Sequence, residues 1–317
     1  MRRLALAALL ASGTAAAEPR VALLATDPQG DDTELYFVAA DAPLPPAVAS
    51  FNHLEGASVQ AAVVPGTDTV VAVADREPAR DASFASGLVR LAPGAPPWWL
   101  INRVVVASRP LVTADGKIFV TRGSAGADRG DDYRIDSFTV DEIDLESGRP
   151  RMVHATGGYL VHLAGAWRGD LLLYRVAPEG ADLVAQPIAG GTPRVLLPSL
   201  PPYARDFTVD PAGGLLYQNL TGRRWVVERL DLAARVAVPI FMKSEVAAAP
   251  QLWPDGRLSL AADRRVVAVS PDHRHAAVIV NGPGGRPVPL VVDVVTGVGR
   301  ELPSPEGRRV TLAGFVP

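Results

Sequence analysis

The chain has 317 residues, no cysteine, 29 glycines and 29 prolines, and 31 basic against 34 acidic side chains for a net charge of −3. A fold of this length buries roughly three-quarters of the surface its unfolded chain exposes, so it requires no disulfide or metal staple. The missing cysteine excludes disulfides, cysteine zinc sites, thiol catalysis and a lipid anchor on cysteine, and the acidic balance disfavours nucleic acid and anionic membranes as primary partners.

Residues 1–17 read as an export signal and stand outside the fold. Arg2 and Arg3 give a positive start, Leu4 to Ala11 a short apolar core, and Ala15-Ala16-Ala17 a small-residue cleavage site before Glu18. Removing the two arginines leaves 29 basic residues against 34 acidic ones, a net charge of −5. The apolar core is too short to span a bilayer, and no other run of about 18 apolar residues occurs, so no integral membrane segment is expected in the mature chain 18–317. A single periplasmic or secreted domain is the expectation.

The mature chain alternates short apolar runs with turn chemistry. Arg20 to Thr26 and Thr33 to Ala40 are predicted strands around Asp27-Pro-Gln-Gly-Asp-Asp, and Leu44 to Phe51 is a third, with Pro45-Pro46 suited to an edge. A turn just before an apolar run then recurs. It appears as Val64-Pro-Gly-Thr, Thr113-Ala-Asp-Gly-Lys, Trp167-Arg-Gly-Asp, Asp210-Pro-Ala-Gly-Gly, Trp253-Pro-Asp-Gly and Ser270-Pro-Asp-His. Proline presets φ, aspartate bonds its own backbone and glycine takes positive φ, as a turn between two strands requires.

A second, outer hairpin follows most of these turns. Glu142-Ile-Asp-Leu-Glu-Ser-Gly, Arg229-Leu-Asp-Leu-Ala-Ala-Arg and Val291-Val-Asp-Val-Val-Thr-Gly are its clearest copies. Anchors at Asp41, Arg90, Asp144, Pro187, Asp231 and Asp293 are 49, 54, 43, 44 and 62 residues apart. A period near 40–50 with four short strands per unit predicts an all-β fold, a β-propeller. Six blades are expected, at about 58–103, 104–157, 158–200, 201–243 and 264–304 after an N-terminal one. An extra hairpin at 248–263 would become a degenerate blade in a seven-bladed count. Arg308 to Pro317 is one strand without a blade of its own, and it is expected to pair with the N-terminal blade and close the ring.

Ser270-Pro-Asp-His and Trp253-Pro-Asp-Gly, with partial copies at Ala114-Asp-Gly and Pro211-Ala-Gly, resemble the turn of the TolB-like, WD40-like propeller repeat family. The resemblance covers most of 20–317 and implies fold rather than activity. The family's namesake carries a further N-terminal α/β domain for which there is no room between Ala17 and Arg20, so its role in the Tol–Pal system does not carry over.

No Gly-x-Ser-x-Gly elbow, no Gly-x-x-x-x-Gly-Lys and no His-Glu-x-x-His occurs. His273 and His275, two apart, would share one strand face as a metal pair can, although His273 stands at a turn position held elsewhere by glycine; no metal site is assigned to them. His162, on a predicted inner strand, either points into the central channel or is a hydrogen-bonded structural residue. Asp128, Asp131 and Asp132 form the most acidic loop; they can offer oxygen ligands to Ca²⁺ but lack EF-hand spacing, and a solvated loop is the simpler reading. Trp98-Trp99 can form an aromatic platform, with one ring exposed and the other packed between blades; Trp167, Trp225 and Trp253 read as inter-blade packing.

With no cofactor motif, the expected function is a non-enzymatic exported scaffold that binds a protein or cell-envelope component. The alternative is a propeller hydrolase or lyase acting on a sugar or lactone in the channel, which requires converging carboxylates or a metal.

Overall fold

A computed structural model describes residues 18–76, 86–105, 109–125, 135–157, 160–177, 180–200, 204–209, 213–221, 224–243, 251–252, 258–259, 264–282 and 286–317. The chain folds into six four-stranded antiparallel sheets and one two-stranded hairpin, with no helix among the described residues.

The first sheet holds β1 (Arg20–Thr26), β2 (Asp32–Val38) and β3 (Ala49–Asn52). The second is β4 (Gln60–Val63), β5 (Val70–Asp75), β6 (Ser86–Leu91) and β7 (Trp98–Asn102). The third is β8 (Leu111–Val112), β9 (Ile118–Ala125), β10 (Ile135–Ile143) and β11 (Pro150–Gly157). The fourth is β12 (Val161–Trp167), β13 (Asp170–Ala177), β14 (Gly180–Pro187) and β15 (Arg194–Leu200). The fifth is β16 (Arg205–Val209), β17 (Gly214–Thr221), β18 (Arg224–Asp231) and β19 (Val236–Lys243). The hairpin of β20 (Gln251–Leu252) and β21 (Leu258–Ser259) precedes the sixth sheet: β22 (Arg264–Val269), β23 (His275–Asn281), β24 (Pro287–Asp293) and β25 (Gly299–Glu301). The last strand, β26 (Arg309–Val316), returns to the first sheet and pairs with β1, from Arg20 opposite Val316 to Thr26 opposite Arg309.

This is a six-bladed β-propeller closed by its C-terminal strand, as expected. The surplus residues before the sixth blade make an isolated hairpin, so the seven-bladed count does not apply. The third strand of blade one is shorter than expected: it begins at Ala49, because Pro45 and Pro46 have no N–H to give the ladder.

The blades are buried on both faces, and this explains their composition. On β1, Val21, Leu23 and Ala25 pack toward Ala277 and Val291 of blade six, while Ala22 and Leu24 pack toward Ala61, Val70 and Ala72 of blade two. On β5, Val70 and Ala72 face blade one, and Val71 and Val73 face Ile118 and Val120 of blade three. A strand covered on both sides reads as a continuous apolar run rather than an alternation.

The outer turns are set locally. Asp144 Oδ1 accepts from the Ser147 amide at 2.7 Å, Asp231 Oδ1 from the Ala233 and Ala234 amides at 2.9 and 2.8 Å, and Asp293 Oδ1 from the Val295 and Thr296 amides at 2.9 and 2.8 Å. Each turn closes on a left-handed residue, Gly148 (φ 67°), Arg235 (φ 58°) or Gly297 (φ 73°), whose amide donates to the same aspartate's carbonyl. The Ser147 hydroxyl, which also donates to Asp144 Oδ1 at 2.6 Å, and the amide bonds to the three aspartates hold all three carboxyls below the usual carboxylate range.

Candidate functional site: the central channel and its mouth

The strands β4, β8, β12, β16, β22 and β26 each stand at one end of their sheet, and residues of all six line one cavity of about 730 Å³ on the propeller axis. Its lining side chains are mostly apolar, with Ala62, Leu111, Phe207, Val267 and Phe315 among them, while polar groups make up close to half of the surface it exposes. The polar side chains among its described lining residues are Gln60, Arg109 and His162.

The inner strands are irregular in a repeated way. Register shifts interrupt β12 between Leu163 and Gly165 and β26 at the level of Ala313, and β22 shifts between Val266 and Ala268. Gly165 and Gly314 have φ of 153° and 152°, a conformation open essentially to glycine alone. A Cβ at Gly165 would stand 2.4 Å from Val209 Cγ2 of the neighbouring inner strand, and one at Gly314 would stand 3.2 Å from Val63 Cγ2. The bulge and the glycine let adjacent inner strands converge. The shared segments Leu163-Ala-Gly165 and Leu312-Ala-Gly314 were the available sequence signal for this feature, and turn chemistry alone does not disclose it.

His162 lies on β12 and lines the cavity. Its ring stacks on Tyr174 with centroids 6.1 Å apart and planes at 22°, and burial pushes its pKa below the ordinary 6.5. Behind it an aromatic row, Tyr174, Phe207 and Tyr217, runs between blades four and five. The Tyr174 hydroxyl accepts from the Ala204 amide at 3.2 Å. Arg109 enters from the connection before β8 and donates from Nε and Nη2 to the Ala61 carbonyl at 3.3 and 3.2 Å, tying blades two and three at the channel wall.

A second cavity of about 1000 Å³ shares Leu111, Val112, Ala164, Gly165 and Phe207 with the first and opens between the turns of blades three and four. Trp167 lines it, with the Arg168 guanidinium 4.7 Å from the ring centroid. Lys117, bridged to Asp115 at 3.1 Å, and Arg151, which pairs with Glu142 and donates to the Ile188 carbonyl at 3.0 Å, complete its rim. Together the two cavities form a funnel whose lining side chains are largely apolar and whose rim carries the Lys117–Asp115 and Arg151–Glu142 pairs and Arg168.

The other residues singled out in the sequence stand elsewhere. Trp98 and Trp99 sit on β7, the outer strand of blade two, away from the channel. Trp98 is 40% exposed. Trp99 turns inward, edge-on to Phe51 of blade one at 5.8 Å, with the Arg76 guanidinium 5.2 Å from its ring. Gly87 on the neighbouring strand β6 leaves the ring room, since a Cβ there would lie 2.9 Å from Trp99. Trp167 packs against the core between blades four and five. Asp128, Asp131, Asp132 and Trp253 lie outside the described residues, as does the side chain of Trp225. His273 and His275 do not share a strand face. His273 occupies the turn with φ 58°, its amide bonded to the Ser270 carbonyl at 2.9 Å, and only His275 enters β23.

The sequence matches no protein-family model and no curated protein. Its likeness to known proteins is one of structure. TolB from Acinetobacter baumannii superposes with a TM-score of 0.52 at 12% identity, over 93% of this chain and 67% of that one. The chain has a TolB-like propeller fold. A protein from Lactobacillus plantarum superposes on the same propeller with a TM-score of 0.54 at 12% identity, over 92% of this chain and 99% of that one. At such identity what is shared is the arrangement of the six blades, and the residues of the funnel are this chain's own.

Proposed function

We propose that this propeller is an exported, non-enzymatic scaffold that binds a protein or cell-envelope component at the funnel mouth, with residues 1–17 as its export signal and 18–317 as the single mature domain. The observation that carries the reading is the joined pair of cavities, lined largely by apolar side chains and edged by Lys117, Arg151 and Arg168. Apolar side chains of the wall take up side chains of a partner segment, while Arg168 at the rim offers donors to carbonyl or carboxylate oxygens. Rigid inner strands with no slack at Gly165 and Gly314 hold the funnel preformed, so little ordering cost falls on binding.

The test is retention of partners from a cell-envelope extract on immobilised 18–317. The wild type is expected to retain a component saturably, and Arg168→Glu together with His162→Glu to lose it at unchanged fold. Trp98→Ala, on the outer rim, is expected to keep it. Absence of any saturable component counts against the scaffold. Export is tested separately by the mass of the protein recovered from the periplasm, which is expected to begin at Glu18.

A further inference from the structure

The funnel runs against the charge of the chain. Acidic side chains outnumber basic ones over the whole sequence, 34 to 31. Among the described residues that line the two joined cavities the charged ones are Arg109, Lys117, Arg151 and Arg168, with Asp115 as their one acid. Asp115 is bridged to Lys117 at 3.1 Å, and Arg151 is paired with Glu142. Even with Glu142 counted, four cations stand against two anions, and a cleft concentrates the field of such an excess.

Arg168 is held out toward the cavity at a cost to its backbone. Trp167 and Asp170 pair across the turn between β12 and β13, and the two residues between them are both left-handed, Arg168 with φ 50° and Gly169 with φ 83°. The first position of such a turn suits asparagine, aspartate or glycine, and arginine is strained there. Strain of this kind persists where the side chain is used. The guanidinium is exposed and has no ion pair or hydrogen bond among the described residues. The acid of its own turn does not answer it, since Asp170 accepts from Arg194 Nη2 at 2.6 Å. What fixes the guanidinium is the Trp167 ring, 4.7 Å away. A guanidinium stacked on an aromatic ring keeps its N–H edge turned outward, where a carboxylate can take two bonds.

The wall decides what kind of anion fits. Each innermost strand is hydrogen-bonded on one side only, so its other edge carries backbone N–H and C=O groups. An acyl chain would leave those groups unpaired, whereas a peptide backbone can bond to them. A sugar ring needs a bare aromatic face, and Trp167 carries Arg168 and packs against the core between blades four and five. We propose that the funnel selects an extended acidic segment of a partner protein, one carboxylate seated on the outer edge of the Arg168 guanidinium and apolar side chains against Leu111, Phe207 and Val209 of the same cavity. The inference rests on the reading of the funnel as the scaffold's binding site and adds the charge of what it takes.

The test is fluorescence polarisation of labelled, capped peptides with the full mature chain. One peptide alternates aspartate and glutamate with leucine, a second replaces the acids by asparagine and glutamine, and a third replaces them by lysine. The acidic peptide is expected to bind saturably, the amide peptide about tenfold or more weaker, and the lysine peptide not at all. Affinity for the acidic peptide is expected to fall as NaCl rises from about 50 to 500 mM. Arg168→Asn suits the left-handed turn, so it is expected to fold at least as well and to lose the preference for the acidic over the amide peptide. The proposal is overturned if the acidic peptide does not bind at millimolar concentration, if the amide peptide binds as tightly, if Arg168→Asn keeps the preference, or if polygalacturonate or laurate binds more tightly than the acidic peptide. A partner retained from the envelope extract equally by Arg168→Asn and by the wild type sinks this inference and leaves the scaffold standing; an extract that yields nothing overturns both.

Discussion

Arg20 and Pro317 meet at the seam of the ring: Arg20 Nε donates to the Pro317 carbonyl at 3.0 Å across 297 residues of sequence. The contact itself is exposed, and its loss in Arg20→Ala should cost no more than about 1 kcal/mol. What it marks is larger. Behind it β26 buries Val310, Leu312 and Val316. At about 1.5–3 kcal/mol for each fully buried side chain, the three contribute roughly 5–9 kcal/mol, comparable with the ~5–15 kcal/mol of a whole domain. Deleting 309–317 is therefore expected to abolish cooperative unfolding and expose the inner edge of β1 to aggregation, as read by thermal denaturation and light scattering.

The turn positions provide a matched set. Arg235 and His273 adopt φ of 58°. Arg235 stands where the two sister turns place Gly148 and Gly297, and His273 stands where blade three has Gly116. A left-handed conformation costs a non-glycine residue about 1–2 kcal/mol, partly offset by the unfolded-state entropy of glycine. Arg235→Gly and His273→Gly are each expected to raise stability by about 0.5–1 kcal/mol. Gly148→Ala should destabilise more than Gly297→Ala, because its Cβ would approach the Leu100 carbonyl oxygen to 2.7 Å while Gly297 faces open space. Urea titration of the four variants checks the order.

The two adjacent tryptophans should separate cleanly. Trp99→Ala empties the contact with Phe51 between blades one and two and is expected to cost about 2–3 kcal/mol, near the lower end for a large aromatic because the ring is only part-buried. Trp98→Ala should change stability by under about 1 kcal/mol. Equal losses in chemical denaturation would refute the inter-blade role of Trp99.

Two histidines set a pH dependence, His154, which is buried, and His162, which is half-buried. Gln186 donates through Nε2 to the Gly191 carbonyl at 3.1 Å, so its Oε1 faces His154 and accepts from Nδ1–H at 3.1 Å. His154 Nε2 is buried without a partner among the described residues, and desolvation pushes the pKa of His154 below the ordinary 6.5, as it does for His162. With the folded pKa depressed, the unfolded chain binds more protons once the pH falls below 6.5. Stability should therefore drop as pH falls from that value and level off below the folded pKa values. The turn aspartates, depressed from 3.8, act in a separate and more acid window: their contribution is present above 3.8 and is lost as the pH falls below it. Unfolding at about pH 7.5 and pH 5.5 is expected to show the loss, and His162→Phe, which keeps a ring over Tyr174, to make it shallower.

The ring of blades was legible in the sequence because its signals are local. Proline, aspartate and glycine fix a turn within four or five residues, and Asp144, Asp231 and Asp293 bond amides two or three residues ahead, so spacing alone discloses six units and a spare strand. The placement of Trp98 and Trp99 on opposite sides of β7 follows from alternation in the same way. The funnel was not legible. His162 and Arg109 belong to different blades, and what brings them to one cavity is the convergence of six inner strands through inter-blade packing. Alternation cannot be carried through those strands, because bulges such as the one between Leu163 and Gly165 reset which face a side chain takes. The cationic excess of the funnel is likewise a tertiary fact: Arg109, Lys117 and Arg151 of blade three and Arg168 of blade four stand among many acids in the sequence, and only the packing of the two blades gathers them around joined cavities.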